Sequence, residues 1–274
     1  MSDPRPIGLF DSGVGGLTVL DAVARRLPTE NLLYLGDTAR LPYGTKSPET
    51  VRRYARRAVE FLVAHDVKAL VVACNTASAL ALDLIEATAP VPVVGVVVPG
   101  AKAAVEEARR LDGAASRRAP IAVLATEATV GSDAYGRAVR ALDPEREVLS
   151  TACPLFVPLA EEGWTENDVA RAAAARYLAP VRASGARVVV LGCTHYPLLR
   201  TTIAEALSPG TVLVDSAEAA AASLVAALPE SARRSAGGPG ETHLLVTDTS
   251  ARFERLAGRF LGREAARLEL VDLA

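Results

Sequence analysis

The chain holds three cysteines, Cys74, Cys153 and Cys193, and two of them stand where a reactive group of an open α/β sheet would stand. Cys74 lies in Ala73-Cys-Asn-Thr-Ala-Ser78 and Cys193 in Leu191-Gly-Cys-Thr-His-Tyr-Pro197. Each follows a β-branched apolar run and leads, through small polar residues, into a stretch of helical period. Open parallel sheets bind ligands at the carboxyl ends of their strands. A helix N-terminus there lowers a thiol pKa and favours the thiolate. Cys153, in Thr151-Ala-Cys-Pro-Leu-Phe156, reads instead as a small buried hydrophobe. No C-x-x-C pair occurs, which argues against zinc and dithiol redox chemistry.

One thiol from each of two like halves suits the inversion of a carbon that bears an acidic hydrogen. That reaction needs a base on one face and an acid on the other, and a thiolate and a thiol exchange those roles when the direction reverses. A Cys–His hydrolase built on Cys193 and His195 is the alternative, but it leaves Cys74 without a task. Phe10-Asp-Ser-Gly-Val-Gly-Gly-Leu-Thr18 is a strand that breaks into a glycine-rich turn, a design that cradles anions with backbone N–H groups. It lacks the G-x-G-x-x-G pattern and a P-loop lysine, so it does not read as a nucleotide site. Asp11 and Ser12 stand where an ammonium and a carboxylate could be held. In the polar loop from Gly36 to Gly44, Arg40 is either a carboxylate clamp or a paired surface charge. Thr126 and Thr129 occupy the corresponding mouth of the second half. Glu161 and Glu162, before Gly163-Trp164, could orient a catalytic His or Cys. His65 and His243 have no partner pattern and read as structural or surface residues.

The elements that must position these groups alternate along the chain. Apolar runs at 7–10, 32–35, 69–73, 93–97, 121–125, 147–151, 188–191, 212–215 and 243–247 predict strands covered on both faces, since they lack strict alternation. Helical periods fall at 15–26, 48–65, 77–87, 101–110, 132–141, 166–183, 197–206 and 217–227. The pattern is α/β with mainly parallel sheets. An internal repeat accompanies it: the strand at Ile7 returns 114 residues later at Ile121, and the two cysteines are 119 residues apart. Two pseudo-symmetric α/β domains are therefore expected, with the active site in the cleft between them. Residues 1–97 plus 213–274 would form one and residues 98–212 the other. Stretches 112–120 and 231–240 read as loops.

Of the 274 residues 50% are hydrophobic and 23% charged, with a net charge of −2, which excludes a disordered or disulfide-scaffold chain. The near-neutral charge, with arginines interleaved among acids and only Lys46, Lys68 and Lys102, argues against nucleic-acid binding. No signal-peptide pattern opens the sequence, and the longest apolar run, 90–100, is interrupted by proline, so no membrane partner is expected. A soluble protein of a reducing, cytoplasmic compartment is the expectation.

Taken together, Phe10–Thr18, the run Tyr34-Leu-Gly-Asp-Thr-Ala-Arg-Leu-Pro-Tyr-Gly44 and the two cysteine motifs resemble the glutamate racemases of bacterial cell-wall synthesis, within the aspartate/glutamate racemase superfamily. The resemblance runs from about residue 7 to about residue 216, with a weaker echo over 247–262. It implies racemisation of glutamate without a cofactor or metal, supplying D-glutamate for peptidoglycan. Cys74 would act on D-glutamate and Cys193 on L-glutamate. Asp11, Ser12, Tyr43, Gly44, Asn75, Thr76, Thr126, Thr194 and His195 match substrate-contacting positions. Asp11 and His195 match helpers of the two thiols, and Glu161 or Glu162 the acid beside that histidine, with Glu162 taken as the assignment. The partner would be D- or L-glutamate, and the assembly a homodimer. Aspartate or a hydantoin is the nearest rival substrate; Tyr43-Gly44 and the Thr-His-Tyr-Pro run favour glutamate.

Overall fold

The computed structural model describes residues 3–113, 118–234, 238–248, 251–261 and 268–273. The chain begins β1 (Ile7–Asp11), α1 (Leu17–Arg26), β2 (Leu32–Gly36), α2 (Pro48–Ala64), β3 (Ala69–Val72), α3 (Asn75–Thr88) and β4 (Val93–Gly95). It continues through α4 (Val97–Asp112), β5 (Ile121–Ala125), α5 (Glu127–Gly131), α6 (Ala134–Leu142), β6 (Val148–Ala152), α7 (Phe156–Glu162), α8 (Asp168–Ser184), β7 (Val188–Gly192), α9 (Arg200–Glu205) and β8 (Val212–Asp215). It closes with α10 (Ser216–Ala227), β9 (Thr242–Val246), α11 (Ala251–Leu261) and β10 (Leu268–Leu270).

These elements form two compact units, Met1–Val96 with Ala217–Ala274, and Val97–Ser216. The first holds a six-stranded sheet in the order β10-β9-β2-β1-β3-β4, the second a four-stranded sheet in the order β6-β5-β7-β8. Every strand pair is parallel. Read as the sequence of strands within each unit, both sheets carry the same order, second-first-third-fourth. The repeat seen in the sequence is thus a repeat of topology, and β9 and β10 extend the first sheet beyond β2. The chain leaves the second unit at Ser216 rather than at 212, because β8 pairs with β7, Val188 opposite Val212.

Residues of β1, β2, β3, β5 and β7 are buried along their whole length, which is why their sequences run apolar without alternation. Each large aliphatic side chain covered in this way contributes roughly 1.5–3 kcal/mol. The helices cover the sheets with one face. In α2 the buried residues are Val51, Ala55, Ala58, Val59 and Leu62, which recur on one face at helical spacing, after a Ser47 cap that accepts the Thr50 N–H at 3.3 Å. Helix α4 starts at Val97, four residues earlier than its periodicity predicts, since Pro99 sits in a first turn whose N–H groups have no intrahelical acceptor. The helix expected at 132–141 is α6, and a separate short helix, α5, precedes it. Asp133 has φ of 52°, a left-handed backbone that stops one helix and opens the next. Helices α5, α7 and α11 and strand β10 were not among the expected elements. Residues 114–117 and 235–237 of the two expected loops, and 249–250 and 262 of the sequence echo at 247–262, lie outside the described residues. Among the described residues no helix is long and apolar enough to cross a membrane.

One ion pair is completely covered in the first unit. Lys68 Nζ lies 2.6 Å from Glu30 Oε2, both side chains 1% exposed, and it also donates to the Asp3 carbonyl at 2.8 Å. Glu30 in turn accepts the Arg234 N–H at 2.9 Å. Removing one charge strands the other in a low-dielectric interior. Lys68→Met is therefore expected to cost about 3–5 kcal/mol of stability. Urea unfolding would read this as a lowered midpoint; a midpoint within error of wild type would contradict it.

Candidate active site

In the first unit the chemistry gathers where β1, β2 and β3 end. Parallel register places Asp11 opposite Gly36 and Phe10 opposite Val72. Ser12 and Cys74, the residues beyond Asp11 and Ala73, thereby come together, and the Cys74 thiol donates to Ser12 Oγ at 3.5 Å. Cys74 caps α3 and accepts the Ala77 N–H at 3.5 Å, with Asn75 and Thr76 buried in the first turn behind it. Asp11 is buried and accepts the Gly13 N–H at 3.0 Å. The turn that follows wraps closely: a Cβ on Gly16 would come within 2.4 Å of Asp11 Cβ, and one on Gly36 within 2.6 Å of the Gly13 carbonyl oxygen. Only glycine permits that approach.

The electrostatics of Cys74 differ from the sequence expectation. Burial pushes its thiol up to about 12, and the charge of Asp11 adds to the rise; hydrogen bonds from Ser12 and the Ala77 amide oppose it without prevailing. The helix terminus is present, but desolvation wins, and the resting group is a thiol.

In the second unit Cys193 follows β7 and Thr126 follows β5, after the registered pair Ala125 and Gly192. Thr126 caps α5, accepting the Thr129 N–H at 3.4 Å. Cys193 Sγ lies 4.0 Å from His195 Nδ1, and Thr194 Oγ1 lies 3.4 Å from the same nitrogen. On the far side of the ring His195 Nε2 is 3.2 Å from Glu161 Oε1. Burial alone would lower the imidazole pKa; the hydrogen bonds and charges of Cys193 and Glu161 outweigh it and hold the group up at about 10. Beneath this group the Tyr196 hydroxyl donates to the Cys153 carbonyl at 2.9 Å, and Phe156 packs edge-on to Tyr196. Cys153 is fully buried in the same core, and that burial pushes its thiol up to about 12.

The acid seen against His195 is Glu161, which corrects the assignment to Glu162. Both lie on the last turn of α7, where successive side chains point about 100° apart, so one turns inward while Glu162 is exposed. Tyr43 is buried and donates its hydroxyl to Asp37 Oδ2 at 2.5 Å, so its ring is engaged inside the unit and Gly44 is buried beside it. Arg40 lies 3.7 Å from Asp37, donates to the Leu273 carbonyl and stands over the Tyr54 ring. It is a paired charge. His65 accompanies Phe61 on α2 and His243 pairs with Glu241, both away from these groups. Asp37 was not singled out from the sequence, although it stands within a quoted motif; its partners come from 6 and 210 residues away. Among the described residues no three His, Cys, Asp or Glu side chains gather as a metal would require.

Comparison with known proteins gives one consistent result. A family model described as Asp/Glu/Hydantoin racemase matches residues 11–224. A glutamate racemase of Geobacter metallireducens is 49% identical over 271 residues, 98% of this chain and 97% of the relative. Among solved structures, a glutamate racemase from Francisella tularensis in complex with D-glutamate superposes with a TM-score of 0.91 at 36% identity, covering 99% of this chain and 98% of that one. One from Thermus thermophilus, in complex with beta-chloro-D-alanine, gives 0.85 at 45% identity, covering 99% and 98%.

The raised His195 value has a direction that can be tested. A histidine held above its ordinary 6.5 contributes stability that is complete below 6.5 and is lost as pH climbs through about 10. Glu161→Gln is expected to move the His195 titration downward, and Glu162→Gln to leave it near the wild-type value. Histidine-selective NMR titration of the three proteins reads both; a shift caused by Glu162→Gln alone would reverse the assignment.

Proposed function

The chain belongs to the Asp/Glu/hydantoin racemase family, and we propose that it interconverts L- and D-glutamate with Cys74 and Cys193 as its two proton-transfer groups. It is an amino-acid racemase, an isomerase. The observation that carries the two-cysteine reading is topological: each unit carries a cysteine just past the end of its third strand, in the same strand order, and each thiol has its own proton-handling neighbours.

In this reading one cysteine, as thiolate, takes the α-hydrogen of glutamate as a proton, and the electron pair left behind is delocalised into the carboxylate. The other cysteine, as thiol, delivers its proton to the opposite face. The α-carbon inverts, and the thiol and thiolate have changed places, so the reverse turnover starts from the product state. Cys74 serves D-glutamate and Cys193 serves L-glutamate. Asp11 is the group to which Cys74 passes its proton before it acts as base. His195, held by Glu161, does the same for Cys193. Ser12, the Tyr43-Gly44 main chain, Asn75, Thr76, Thr126 and Thr194 hold the carboxylates and the ammonium. The burial of both thiols supports the reading, since a carbanion formed away from water is not quenched by it. D-Glutamate made in the cytoplasm would feed peptidoglycan synthesis.

The test is incubation with each enantiomer in D₂O, without pyridoxal phosphate, following optical rotation and α-deuteration together. Inversion from both directions with deuterium in the product is expected, and the absence of both would remove glutamate as substrate. Cys74→Ser and Cys193→Ser should each lower kcat/KM for racemisation by about 10²–10⁴-fold. A Cys74→Ser variant of wild-type activity would return the chemistry to Cys193 and His195 alone.

A further inference from the structure

The Gly36–Gly44 loop is pinned by a segment of the chain some two hundred residues away. Asp37, 0% exposed, accepts the Tyr43 hydroxyl at 2.5 Å on one carboxylate oxygen and the Thr247 hydroxyl at 3.0 Å on the other. Thr247 Oγ1 also accepts the Ala39 N–H at 3.0 Å, while its main-chain N–H donates to the Gly36 carbonyl at 3.1 Å. The Asp37 N–H donates to the Asp11 carbonyl at 3.0 Å, so the same residue touches the acid-bearing strand. One step further, Thr38 and Asp248 exchange two hydrogen bonds of 2.7 Å. Strand β9, which carries Thr247 just past its end, pairs in register with β2 up to Gly36 opposite Val246.

We propose that Thr247 is a positioning residue for the racemase reaction: through Asp37 it sets the orientation of Tyr43 and hence of the Tyr43-Gly44 main chain offered to the substrate. The inference rests on the reading of that main chain as a substrate contact. The physical case is one of satisfied valences. A fully buried carboxylate needs donors, and here they are Tyr43 and Thr247, with the Arg40 guanidinium 3.7 Å away as counter-charge. Remove the threonine hydroxyl and Asp37 loses a donor and Ala39 an acceptor, both inside the loop that leads to Tyr43. The carboxylate then turns toward its remaining partners and takes Tyr43 with it. A turn that binds a non-reacting part of the substrate acts on ground state and transition state alike, so its misplacement raises KM and leaves kcat.

Thr247→Val keeps the shape and removes the hydroxyl; Thr247→Ser keeps the hydroxyl. The valine variant is expected to raise KM for both glutamate enantiomers about tenfold, the scale of one hydrogen bond to a charged group, with kcat within about twofold. The serine variant should restore KM. Tyr43→Phe removes the other end of the relay. The KM increases of Thr247→Val and Tyr43→Phe should combine to less than their product in the double variant, as they act on one unit. If the valine protein fails to fold, Tyr43→Phe and Thr247→Ser still read the relay, through a raised KM in one and an unchanged KM in the other. Equal KM in wild type and Thr247→Val, or a fall confined to Tm, would overturn this inference while the proposed function stands. A wild-type protein inert on both enantiomers would overturn both.

Discussion

Parallel pairing in the second-first-third-fourth order is the constraint from which the rest follows. Strands that all run the same way bring every carboxyl end to one edge of the sheet, and the main-chain groups there are no longer consumed by the ladder. At the first and third strands the connections depart in opposite directions, so the two ends open on a common crevice. Both units obey this rule. In the first it brings Asp11 and Ser12 to Cys74; in the second it brings Thr126 to the neighbourhood of Cys193. The chemistry is placed by the ladder, and the residues only fill the positions that the ladder exposes.

Equivalent places in the two sheets do not have equivalent electrostatics. Around Cys74 the neighbours are an acid and a hydroxyl, and burial together with the acid holds the thiol protonated. Around Cys193 the neighbour is an imidazole whose pKa is raised, against its burial, by its contacts with Cys193 and Glu161. One thiol thus has a carboxylate and a hydroxyl in its surroundings and the other an imidazole. The two sheets share a strand order, and single positions after the strands supply the asymmetry.

The covered ion pair of Lys68 with Glu30 and the Asp37 network serve a different end. Both bind the 217–274 portion of the chain, or its neighbours, to the opening strands: Glu30 takes the Arg234 amide, and Asp37 takes Thr247. A six-stranded sheet assembled from two distant stretches needs such ties, because β9 and β2 gain their pairing only after the whole second unit has been traversed. Closing so long a loop costs conformational entropy, and buried charged contacts of defined geometry make one register the stable choice.

Much of the architecture was legible in the sequence, which also singled out two of the three cysteines as candidates for the proposed chemistry. Continuous apolar runs of four or five residues followed by Cys, Asn, Thr or Ser are a local signature, since burial on both faces of a strand and exposure at its end act on neighbouring residues. The paired recurrence of that signature revealed the two units and pointed to Cys74 and Cys193. What had no local signature came only with tertiary structure. Which of two adjacent glutamates meets His195 depends on the rotation of α7. Whether a helix terminus or desolvation governs Cys74 depends on how fully that thiol is covered. The role of Asp37 depends on Thr247, 210 residues away. Sequence records what a residue is and which residues adjoin it along the chain. Electrostatics and hydrogen bonding act through space, and the neighbours that decide them are chosen by packing.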